Sequence, residues 1–227
     1  RHIDHFTPED MLLRILVFKI FNKIETWDYL EKVYGDIRVE HFDVEEICRL
    51  LSIRQKSLPI FSNAYMMTGS HRRYDCLSSK HAKWLQMVKD EFIGEGVVDR
   101  VLNADSMDLV LMELFLQTKT VLKLLATIHH FTHKHILFTI VKNLVGGFLA
   151  YQYTIDFNYS PYVNFDENSF VKAGIGAVRG LKKCFKSIGD NYEAAIRYTY
   201  EHLDDFRKEF GSDDFKPLPG REPHLID

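Results

Sequence analysis

Apolar residues return at three- and four-residue steps through most of the chain, and no series of strands alternating at every second residue is found. Thr7-Pro8-Glu9-Asp10 reads as a helix start, with Thr7 as N-cap, proline at the first helical position and acids in the first turn. The helix runs to about Ile24, turning Leu12, Leu13, Leu16, Val17, Ile20 and Phe21 inward and leaving Arg14, Lys19 and Asn22 to other faces. A short helix follows to Tyr34, ended by Gly35. The pattern repeats over Asp43–Gln55, Ser79–Phe92, Asp105–Phe115 and Lys119–Ile128. A buried central helix over His135–Tyr153 is loosened at Gly146-Gly147, and a last helix spans Asp190–Gly211 with Tyr192, Ala195, Ile196, Thr199 and Leu203 inward. The expectation is an all-α fold of nine or ten helices in a single domain over residues 1–227, closed by a proline-rich tail that delivers Leu225-Ile226-Asp227. The chain opens at Arg1 without a methionine, so truncation at both ends is expected.

Composition narrows the chemistry. At 227 residues and 46% hydrophobic content the chain can fill a real core, while a net charge of −3 argues against a general polycation. Any nucleic-acid contact must then come from a local basic face. Three scattered cysteines, Cys48, Cys76 and Cys184, suggest neither a disulfide framework nor a zinc knuckle, and a reducing cytoplasm is the expected compartment. The apolar runs are too short to span a bilayer. No GxxxxGK[ST], GxSxG or HExxH motif occurs, and no GxGxxG follows a strand, which excludes the usual signatures of ATP use, serine hydrolysis, zinc proteolysis and dinucleotide chemistry.

The informative stretch is 146–185. Gln152, Asp156, Asn158 and Tyr159 could bring amide, acid and phenol to one cavity that holds a nucleobase by its edge; the same groups could equally cap the helix and satisfy the loop after it. Ala173-Gly174-Ile175-Gly176-Ala177 then forms a tight glycine turn followed by Arg179, Lys182 and Lys183. Glycines there let backbone amides approach a phosphate, and the positive end of the next helix favours the anion. The expectation is a helix-hairpin-helix element over residues 170–186 gripping double-stranded DNA, with no cofactor beyond a monovalent cation at the hairpin. Arg72 and Arg73, in the basic, aromatic Ser70–Tyr74 loop, are further DNA-contact candidates, the alternative being an ordinary solvated loop. His129 and His133 would share a helix face, but no carboxylate stands at ligand spacing, so a polar interhelical corner is favoured over a metal site.

Four motifs carry a resemblance: RILVFKIFNKIETW at 14–27, AYQYTIDFNYS at 150–160, FVKAGIGAVRGLKKCF at 170–185 and LID at 225–227. Together they resemble the alpha-glutamyl/putrescinyl thymine pyrophosphorylase family, whose helical domain recurs in 5-hydroxymethyluracil DNA kinases and whose fold is similar to helix-hairpin-helix DNA glycosylases. The resemblance implies a DNA-modifying enzyme, of bacterial viruses above all, acting in the host cytoplasm, or in the nucleus of a eukaryote. It implies that an amine, an amino acid or a polyamine, displaces phosphate or pyrophosphate from an activated 5-hydroxymethyluracil, with a kinase as partner. Gly174, Gly176, Arg179, Lys182 and Lys183 would hold the DNA backbone, Gln152, Asn158 and Tyr159 the flipped base, and Asp156 or Asp227 would be the reacting carboxylate. The rivals are a non-catalytic DNA-binding domain accompanying such a kinase and a true DNA glycosylase. Family members continue beyond both ends of this chain.

Overall fold

The structure, a computed structural model, describes residues 5–62, 77–105, 147–211 and 222–226. The described residues form nine α-helices and no strand, so the fold is all-α. The chain divides into two compact units, Arg1–Asn164 and Phe165–Asp227. Arg72, Arg73, the histidine run, the helices expected over 105–115 and 119–128 and the terminal Asp227 lie outside the described residues.

In the first unit α1 (Pro8–Phe21) begins where its sequence says it should. The Thr7 hydroxyl accepts from Asp10 N at 3.2 Å, and the Asp10 carboxylate reaches back to Thr7 N, closing a capping box. Asp10 is buried and also accepts from Val39 N at 2.8 Å, so one acid both caps α1 and anchors the Val39–His41 turn. The helix stops three residues earlier than expected. Asn22 takes a left-handed conformation, φ 46°, and its N–H closes on Phe18 O, which lets α2 (Ile24–Val33) start at a new angle. Thr26 on α2 is fully buried, and its hydroxyl donates to Ile60 O at 2.8 Å, fixing the following loop.

Asp43 caps α3 (Val44–Gln55) by accepting from Glu46 N. α4 (Ser79–Met87) widens into a π-turn, Val88–Ile93, and α5 (Val97–Leu102) follows. Gly94 is required at the end of that turn, because a Cβ there would lie 2.5 Å from Asp90 O.

The central element is α6 (Gly147–Asn158). Ala150, Tyr151, Tyr153, Thr154, Ile155, Phe157 and Asn158 are all buried, more of the circumference than one packed stripe would cover. α1 packs along it, Phe92 of the π-turn meets Phe157, and Trp84 of α4 lies nearly parallel to Tyr153, with ring centroids 5.3 Å apart. Each such aromatic or leucine side chain taken from water contributes about 1.5–3 kcal/mol, so this seam carries much of the unit's stability.

The second unit holds α7 (Ile175–Cys184), α8 (Tyr192–Glu201) and α9 (Leu203–Glu209). Two expectations are corrected here. The 170–186 segment contains one helix rather than two, because a polar turn replaces the incoming helix: Asp166 accepts from the N–H groups of Asn168 and Ser169 and from the Ser169 hydroxyl. The helix expected over 190–211 breaks at His202, where φ −108° and ψ 19° interrupt the α geometry. Glu193 on α8 accepts from Lys172 Nζ at 2.8 Å and from Ala173 N at 3.1 Å, holding the entry to α7 in place. Arg197 donates to the carbonyls of Asn168 and Ser169, Leu225 N donates to Asn168 Oδ1, and His224 meets Glu167. Phe170, Val171, Leu225 and Ile226 are the buried apolar residues this network surrounds in the sequence.

Candidate functional site

Lys19 is the residue that reading by pattern misplaced. It interrupts the apolar run of α1, yet it is only 5% exposed, and its ammonium lies 2.6 Å from Asp156 Oδ2 on α6. At about 100° per residue Lys19 falls some 20° from Leu12, at the edge of the inward stripe, and that arithmetic was the available signal. Two of the sequence motifs therefore meet physically: the first supplies the lysine and the second the carboxylate. The first motif is fastened within itself and to its flanks, since the Arg14 guanidinium sits 4.8 Å from the Trp27 ring centroid and 3.9 Å from that of Phe6 and pairs with Glu31.

Asp156 is not a solvated acid. Burial raises its carboxyl above the ordinary aspartate range, and the Lys19 ammonium works in the opposite direction. Tyr153, three residues earlier and therefore one turn away, is 1% exposed, and burial drives its phenol far above the usual range, with the Asp156 charge adding to the effect.

The four residues expected to line one cavity are not brought together. Gln152 and Asp156 share a face of α6 and are half-buried. Asn158 is buried about 200° away around the same helix. Tyr159 lies just past the helix end and is 58% exposed. The helix runs five residues beyond the expected Tyr153, which is what carries Asn158 to the far side.

The glycine turn leads into the start of α7. Gly174 is the N-cap of α7 in an extended conformation, φ −77° and ψ 171°, with no side chain capping the helix. The amides of Ile175, Gly176 and Ala177 belong to the first turn, which has no carbonyls of its own helix to bond, and all three residues are exposed. Arg179, Lys182 and Lys183 are exposed as well, but the two lysines occupy the last turn, about 10 Å along the axis from Ile175. The charges thus form a row along α7 rather than a ring around its first amides. Lys182 also lies 5.5 Å from the Tyr192 ring centroid.

An open cleft of about 460 Å³ elsewhere in the first unit, lined by Glu40, His41, Asp43, Glu45, Gln86 and Lys89 among others, includes none of these residues. Among the described residues no three His, Cys, Asp or Glu side chains converge as metal ligands, and no helix is long and apolar enough to cross a membrane.

The profile of the family described as "5-hmdU DNA kinase, helical domain" matches residues 2–227. The chain belongs to that family. The 5-hmdU DNA kinase helical domain connects it to hydroxymethyluracil modification in DNA, and the match takes in all four sequence motifs up to Asp227. No curated protein and no solved structure matches the chain.

Proposed function

We propose that this helical domain binds double-stranded DNA containing 5-hydroxymethyluracil and presents the modified base for phosphoryl transfer by an ATP-binding kinase unit. The observation that carries the reading is the start of α7. Its first-turn amides have no capping side chain, and a Cβ added at Gly176 would meet nothing within 4 Å. Glycine within a helix costs about 1 kcal/mol relative to alanine, and nothing among the described residues requires it at this position. A backbone approaching from outside, such as a DNA phosphate seated on the amides, gives the missing atom a purpose.

Gly176→Ala separates the two effects. Thermal unfolding should show the variant as stable as the parent or more so, while its affinity for a 5-hydroxymethyluracil duplex, read by fluorescence anisotropy, falls about tenfold. Undiminished affinity would remove the basis for placing phosphate there.

The second reading is amine transfer by this chain, and the partly buried Asp156 favours it. The amine nitrogen would attack the methylene carbon on C5 of an activated base, the carbon–oxygen bond to phosphate would break, and the phosphate would leave with the electron pair. A carboxylate, Asp156 or Asp227, would take the proton lost by the amine. Incubating the protein with duplex carrying 5-phosphomethyluracil and a polyamine separates the readings. Amine adducts in the digested nucleosides, seen by mass spectrometry, support transfer; unchanged nucleosides with retained DNA binding support the module.

A further inference from the structure

α8 and α9 carry a continuous row of aromatic side chains that faces water. Tyr198, His202, Phe206 and Phe210 recur at four-residue steps, and their rings follow one another closely. Centroids lie 4.2 Å apart for Tyr198 and His202, 6.3 Å for Tyr198 and Phe206, and 6.5 Å for Phe206 and Phe210. The row thus runs unbroken past the interruption at His202, whose Nδ1–H donates to the Tyr198 carbonyl at 2.9 Å. No residue of α7, α8 or α9 is buried, Tyr198 is 48% exposed and Phe210 is 76% exposed. Contacts along the row account for the inner rings, but Phe210 stands at its end with most of its surface in water, as the side chains of an interaction surface do.

The charges beside the row decide what would cover it. Glu201, Asp205 and Glu209 each precede an aromatic residue by one position, so they form a parallel acidic border with about 6 Å between successive turns. All three are exposed, and among the described residues none of them forms an ion pair. The neighbouring Arg207 is already paired with Asp204 and Glu222, and Lys208 lies about 200° around the helix from Phe206 and Phe210. The border repels a DNA backbone, and a second copy laid on by the same face would set acids against acids. We propose that the Tyr198–Phe210 face is a docking surface for an amphipathic helix of a protein partner, one whose apolar stripe is bordered by Lys or Arg at four-residue steps. Its apolar side chains would cover the Phe206 and Phe210 rings, and its cations would pair with Glu201, Asp205 and Glu209, one per turn. Docking here requires neither the amides nor the lysines of α7.

The test titrates the chain with two labelled synthetic helical peptides that share one leucine stripe and differ only in carrying lysine or glutamate beside it, read by fluorescence anisotropy. The parent is expected to bind the lysine peptide saturably and about tenfold more tightly than the glutamate peptide. Phe210→Ala should weaken lysine-peptide binding about tenfold, with melting temperature and duplex affinity unchanged. Glu201→Lys/Asp205→Lys/Glu209→Lys should reverse the preference between the peptides. No saturable binding, a parent without preference, or a preference that survives the charge reversal overturns the proposal, as does lysine-peptide affinity untouched by Phe210→Ala. If Phe210→Ala also lowers the melting temperature, the charge reversal decides. A parent that sediments as a dimer and becomes monomeric on Phe210→Ala would assign the face to a second copy, and a fall in duplex affinity in that variant would assign it to DNA; either overturns the proposal.

Discussion

Lys19→Met is expected to destabilise the protein by about 3 kcal/mol at neutral pH, seen as a urea midpoint lowered by about 1–2 M. The cause is less the loss of the ion pair than what remains. Asp156 would keep its charge in a largely desolvated position with the ammonium 2.6 Å away removed. Its partial exposure sets the figure at the low end of the range for broken buried pairs. Pairing Lys19→Met with Asp156→Leu should restore most of the stability, since replacing both partners of a buried pair with apolar side chains is often neutral or better.

The buried Asp156 carboxyl also sets the sign of the pH dependence. Burial already raises the Asp156 carboxyl in the parent. The folded state therefore binds more protons than the unfolded state just above the ordinary aspartate range, and stability falls as pH rises through the folded-state value. Without the opposing ammonium the folded value moves higher still and the affected window extends towards neutrality. The penalty of Lys19→Met should thus shrink between about pH 7.5 and pH 4.5. A penalty that stays constant or grows on acidification would show that Asp156 is not the group left uncompensated.

The second large effect concerns DNA. The double variant Lys182→Glu/Lys183→Glu is expected to lose about 100-fold in affinity for duplex at 0.1 M salt, from two lost phosphate contacts and two added like charges. Each phosphate contact contributes a slope of about −0.9 in log affinity against log salt, so the slope should become shallower by about 1.8. Both lysines are exposed, and in the last turn of α7 they complement the helix dipole, so a fall in stability of up to about 1 kcal/mol per residue accompanies the change. Lys182→Gln/Lys183→Gln, which removes charge without reversing it, should keep the same shallower slope with a smaller loss of affinity.

What the sequence disclosed, and what it did not, follows from the range of the interactions involved. Thr7, Pro8 and Asp10 at the start of α1 and Asp43 at the start of α3 were legible because a cap acts within one helical turn. The all-α class was legible for the same reason, through periodicity. The pairing of Lys19 with Asp156 was not, since it joins residues far apart in the chain and depends on how α1 crosses α6. The incoming helix before Gly174 was expected from the motif, but Asp166, Asn168 and Ser169 satisfy one another locally and make a turn instead. Breaks such as His202 carry no proline or glycine to announce them.

The central claim is that exposed amides and cations of α7 hold DNA. The most direct measurement is an anisotropy titration of the unaltered chain with a duplex carrying one 5-hydroxymethyluracil, repeated across salt concentrations. With Arg179, Lys182 and Lys183 each meeting a phosphate, saturable binding should weaken with a log–log slope of about −2.7. No saturable binding at low salt, or a slope near zero, would contradict the account.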